Sequence, residues 1–187
     1  MIIGIALDEV LRDFSGKFRE VYEKFTKNTI EDDEISLTNL FKYFSGNTDS
    51  TIEFLYEEHP LEIFGYANEL FNNSGLTLKS IMEQNPDDEF IIISKEHGRS
   101  IPSTLFFLSK IISEVPNIKF VSTFGEYWEN VDALVCADPR VILQKPKDKK
   151  LIMINKNYNQ HYTKDADRVI TSLKEYNKKD TLQIETS

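Results

Sequence analysis

The chain begins with MIIGIAL, in which Ile2, Ile3, Ile5 and Leu7 place apolar side chains on both faces. Such a run predicts a strand sandwiched between helices, at the middle of a sheet. From Arg12 to Phe25 the period changes. Phe14, Phe18, Val21, Tyr22 and Phe25 recur at spacings of three and four, which is one face of a helix. The stretch from about Asn28 to Asn85 opens with the acidic run EDDE and continues through LTNLFKYF, STIEFLYEEH and PLEIFGYANELF. It has helix-like texture and no strong strand, and reads as an inserted cap. Alternation returns with the strand candidate Glu89 to Ser94 and a helix through Leu105, Leu108, Ile111 and Ile112. Three more strands are predicted at Ile118 to Ser122, Asp132 to Cys136 and Leu151 to Ile154. A last helix is predicted from Asp165 to Tyr176, with Thr163 as its cap and Val169, Ile170 and Leu173 facing inward. The pattern predicts an α/β fold, a three-layer Rossmann-like core on a mostly parallel sheet, whose site lies at the carboxyl ends of the strands. The core spans 1–27 and 86–187, and the small helical cap insertion spans 28–85.

Composition narrows the partners. A chain of 187 residues with a net charge of -9 offers no broad attraction to a phosphate backbone, so nucleic acid is a poor partner. Cys136 is the only cysteine, which leaves no internal disulfide and fits a reducing cytoplasm. Neither a secretory leader nor a membrane-length apolar run is present, so no membrane partner is expected. His59, His97 and His161 lie apart, without metal-ligand spacing. A nucleophilic pair of Cys136 with His97 would need a third, orienting group that the sequence does not supply. The loop QKPKDKK and the acidic run at Glu31 to Glu34 read as solvated loops.

The segment IGIALDEVLRDF resembles the first motif of the haloacid dehalogenase-like (HAD) phosphatases, particularly the 5'(3')-deoxyribonucleotidase branch found in phages, Asp-x-Asp-Gly-Val-Leu-x-Asp-Phe. Asp8, Val10, Leu11, Asp13 and Phe14 match, while the first aspartate falls on Ala6 and the glycine on Glu9. VDALVCADPRVI resembles the fourth motif, with Asp132, Leu134 and Pro139 in register but Cys136 and Ala137 where two acids belong. Ser94 ends a strand where the family holds phosphate with a hydroxyl, and Glu126 lies near the place of its lysine. Tyr158 and Asn159 match a further family segment. In that family the first aspartate attacks phosphorus and helps hold Mg²⁺, and the second is general acid and base. An alanine methyl can do neither. Loss of a nucleophile alone costs about 10⁴- to 10⁶-fold in rate.

The resemblance therefore implies a silenced scaffold, with no cofactor and no catalytic or metal-binding set at the remnant positions Ala6, Asp8, Ser94, Glu126, Cys136 and Ala137. Small residues there are expected to close the old pocket. The first functional reading is a pseudoenzyme that binds a protein partner or joins a larger assembly, in host cytoplasm or a phage particle. Phe54, Tyr56, Leu61, Ile63, Phe64 and Tyr66 are its candidate interface residues. The alternatives are an active or weakly active Mg²⁺-dependent 5'-nucleotidase or phosphatase, with Asp8 and Asp138 sharing the metal, and a nucleotide-binding module without chemistry.

Overall fold

A computed structural model describes residues 1–31, 35, 37–114 and 116–176. The predicted strands form as β1 (Ile2–Ala6), β2 (Glu89–Lys95), β3 (Asn117–Val121), β4 (Ala133–Cys136) and β5 (Lys150–Ile154). They are joined by β6 (Arg168–Ile170), and every pairing in the sheet is parallel, in the order β3-β2-β1-β4-β5-β6. Strand β1 is central, paired through Ile5 to Ile92 on one side and Val135 on the other. Ile3 and Ile5 of β1 and Leu134 and Val135 of β4 are 0–1% exposed, as strands covered on both faces must be. The order reverses after β3, and right-handed crossovers place the connections of the two halves on opposite faces, giving three layers. Ligands in such sheets bind where the order reverses, at the carboxyl ends of β1 and β4.

Helix α1 (Phe14–Thr26) starts where Asp13 accepts a hydrogen bond from the Gly16 amide at 2.9 Å. Lys27, in the left-handed conformation, ends it. Phe14, Phe18, Val21 and Tyr22 bury against an all-helical stretch: one 3₁₀ segment (Leu37–Phe44), α2 (Thr48–Ile52) and two π-type turns (Glu53–Glu58 and Leu61–Gly65). Phe18 has Tyr22, Tyr43, Phe44 and Phe54 within 6.4 Å by ring centroid, so this core is built of aromatic rings. Helix α3 (Ser74–Gln84) belongs to the other core, since Leu78 and Ile81 pack with the sheet. Helix α4 (Ser100–Ile111) and the single turn α5 (Pro139–Ile142) complete the sheet's cover. Asp32, Asp33 and Glu34 of the acidic run lie outside the described residues.

The final helix does not form. Asn157–Asp165 winds as 3₁₀ turns, Arg168–Ile170 is the edge strand β6, and Leu173–Glu175 is one 3₁₀ turn. β-branched Val169 and Ile170 find strand partners in Met153 and Ile154 of β5, which outweighs a short helical period. Ile170 and Leu173 point inward, whereas Val169 faces solvent at 39% exposure. The six aromatic and aliphatic interface candidates also divide. Phe54, Ile63 and Phe64 are 5% exposed or less, because they fill the aromatic core; Leu61 and Tyr66 are exposed, and Tyr56 is half-buried. Among the described residues no helix is long and apolar enough to cross a membrane.

Candidate functional site

The carboxyl end of β1 delivers Ala6 and Asp8 to a cavity of about 300 Å³. Its floor comes from the sheet ends through Ala6, Asp8, Lys95, Asp138 and Arg140, and its apolar roof from Leu37 to Phe64. The pocket is therefore open rather than filled by small side chains. Ala6 lines it, while Cys136 and Ala137, fully buried in the core, do not.

The turn after β1 places Glu9 where the resembled motif has a glycine. Glu9 has φ 60°, a left-handed conformation that costs a side-chain-bearing residue about 1–2 kcal/mol. Its buried carboxylate compensates by accepting from the Ser15 amide at 2.7 Å and meeting Lys156 Nζ at 3.0 Å. The next turn brings in Arg12, which is fully buried. Its Nε donates to Asp8 Oδ1 at 2.6 Å, its Nη2 to Glu96 Oε1 at 3.0 Å and its Nη1 to Thr104 Oγ1 at 2.6 Å. Ser94 and Thr104 each donate their hydroxyl to the same Glu96 oxygen. Burial would lower the Arg12 pKa, but Asp8 and Glu96 raise it further, so the guanidinium stays charged. Burial raises the Asp8 carboxyl above the ordinary carboxylate value, opposed by the charge and hydrogen bond of Arg12.

A second pair lies opposite. Asp138 caps α5 through the Arg140 amide at 2.9 Å and receives that residue's Nε at 3.0 Å and Nη2 at 2.7 Å. Arg140 and Lys95 both stand over the Phe124 ring, at 4.4 and 5.3 Å from its centroid. Burial and the neighbouring Arg140 charge lower the Lys95 pKa from its ordinary value. Glu126, in contrast, is turned away from the cavity. Its carboxylate accepts from the Ser122 and Thr123 amides and from Thr123 Oγ1, and that hydroxyl bond leads in holding its pKa low. The positive charges of the site are thus Lys95 and Arg140, which spacing against the family lysine did not reveal. Cys136 is buried with its thiol pushed up in pKa by desolvation, and His97 contacts Tyr56 instead, so no Cys-His nucleophile is assembled.

Other family positions are explained as scaffold. Asp132 accepts from the Ile2 amide at 2.7 Å and ties β4 to β1. Asn159, fully buried, donates to the Ala137 and Ile154 carbonyls and so joins the ends of β4 and β5. Pro139 opens α5, where no backbone donor is needed.

With this geometry on view, the chain is similar along 97% of its length to 97% of the crystal structure of a HAD hydrolase, family IA, variant 3, from Entamoeba histolytica HM-1:IMSS, with TM-score 0.62 and 10% identity. The two share a fold. No protein-family model and no curated protein matches the sequence. The residues do not fit the Mg²⁺ that family chemistry would use. Asp8 and Asp138 are each engaged by a guanidinium, Ala6, Cys136 and Ala137 offer no carboxylate, and among the described residues no three metal-ligating side chains converge.

Proposed function

We propose that this HAD-fold protein has given up phosphoryl transfer through an aspartyl intermediate and acts by binding. One observation carries the reading: the aspartate in register with the family's acid and base, Asp8, is clamped by the buried Arg12, beside Ala6 at the nucleophile position. A carboxylate oxygen already held by a guanidinium at 2.6 Å is a poor metal ligand. The test incubates the purified chain with deoxynucleoside monophosphates and Mg²⁺, with Asp8→Ala as control. Phosphate release is expected to match the control in both. Turnover that Asp8→Ala abolishes would establish the nucleotidase alternative instead.

Binding to a protein or a larger assembly, a phage particle included, has one feature in its favour. Leu61, Tyr66, Leu105 and Phe106 are 41–52% exposed, and the Tyr66 and Phe106 rings meet edge-on at 5.6 Å, forming an apolar surface patch. The cavity is the better-defined binding element, because it combines enclosure, apolar walls and charge.

A further inference from the structure

Of the charged side chains lining the cavity, Lys95 is the one without a direct partner among the described residues. Arg12 is shared between Asp8 and Glu96, and Arg140 rests on Asp138 through Nε and Nη2. Lys95 Nζ receives no hydrogen bond acceptor and no ion-pair partner among the described residues; it has only the face of Phe124. The side chain is half-buried and lines the cavity. A half-buried ammonium with no acceptor in direct contact is incompletely solvated, and Arg140 over the same ring adds repulsion. One negative charge placed there would relieve both. Two oxygens would find two donors, since Arg140 Nη1 also takes no part in the pair with Asp138.

Much of the remaining cavity lining is apolar, beside Asp8, Asp138 and the hydroxyl-bearing Thr38, Thr48, Thr51, Tyr56 and Tyr127. Leu37, Leu40 and Leu55 lie inside it, and Phe41 and Ile52 stay 43% and 41% exposed at its rim. Covering such side chains is a gain for any ligand with a hydrocarbon tail. The volume is at the small end for ligand pockets. A phosphomonoester dianion is a poorer match, because Asp8 and Asp138 also face the cavity and the Ser94 hydroxyl is taken by Glu96.

Resting on the binding reading above, we propose that the cavity takes a small apolar monocarboxylate, its head between Lys95 and Arg140 and its acyl or aryl tail against Leu37, Leu40, Phe41, Ile52 and Leu55. The test titrates the full chain calorimetrically with butyrate, hexanoate and octanoate, and with octanol, octylamine and thymidine monophosphate. Affinity is expected to rise about fourfold per added methylene. Octanol and octylamine are expected to bind at least about tenfold more weakly than octanoate, and Lys95→Met to lose about tenfold or more of the octanoate affinity. Lys110→Met, which changes a lysine outside the cavity, is expected to bind octanoate as the native chain does. Failure of octanoate to bind, equal binding of octanol, or unaltered octanoate affinity in a folded Lys95→Met protein would overturn the proposal. Should Lys95→Met fail to fold, the octanol and octylamine comparison on the native chain decides. Binding of thymidine monophosphate in place of octanoate would overturn the ligand class while leaving the binding reading intact; phosphate release from it would overturn the binding reading itself.

Discussion

Arg12 carries a full charge into the protein interior, and its surroundings show what such a residue requires. Four acceptors surround it, counting the Phe64 carbonyl at 3.4 Å, and the Phe64 and Phe107 rings lie 5.0 and 5.7 Å from its guanidinium carbon. Removing the cation alone would strand Glu96, whose side chain is wholly buried, and leave Asp8 without its partner. Arg12→Met is therefore expected to destabilise the fold by about 3–5 kcal/mol, read from the urea midpoint; a cost below about 1 kcal/mol would mean that the triad contributes little. Ala6→Asp tests the neighbouring position. Returning one carboxylate does not free Asp8 from Arg12 or Asp138 from Arg140, nor replace Cys136 and Ala137 with acids. The variant is expected to release phosphate from nitrophenyl phosphate no faster than the native chain. Vigorous turnover from that single change would show that the site was one residue from activity.

At the scale of elements, close packing of α3 on α4 depends on the absence of a side chain. A Cβ at Gly75 would stand 2.3 Å from the Ile111 carbonyl oxygen, which belongs to the last residue of α4 and cannot rotate away. Gly75→Ala should therefore force the two helices apart and lower stability by about 1–3 kcal/mol, measured by thermal unfolding, despite alanine's better helix propensity. A melting temperature at or above that of the native chain would show that the helices can yield at no cost. The edge strand β6 teaches a complementary lesson. Asp165 to Tyr176 carries a passable helical period, yet Val169 and Ile170 pair with β5, because a parallel sheet edge offers backbone partners that an isolated turn of helix cannot.

Across the whole molecule, two cores meet at the cavity: one holds the sheet with α3, α4 and α5, and the other holds α1 with the aromatic turns of 37–65. They are not equally braced. Strands β1 and β4 have ladder partners on both sides and no exposed core residue, while the 3₁₀ and π-type turns make weaker backbone hydrogen bonds and keep Phe41 and Leu61 partly in water. Native-state hydrogen exchange is expected to be slowest at Ile3 to Ala6 and Ala133 to Cys136, and faster across 37–65 by several orders of magnitude. Equal protection of both regions would indicate that they open only together. A cavity roofed by the less protected half suits ligand entry.

Periodicity in the chain was enough to place β1 to β5 and α1, because it is a local property. The matches at Asp13, Asp132, Pro139 and Asn159 were also legible, although only contacts showed that each serves caps, turns and strand ends. What tertiary structure alone decided was the pairing of charge. Arg12 meets Glu96 and Thr104, 84 and 92 residues away, and Lys95 shares a ring with Arg140 while Glu126, nearer the expected position in sequence, turns outward. The hydrophobic pattern says which face of an element is buried, whereas the partner of a buried charge depends on which elements the folded sheet brings side by side.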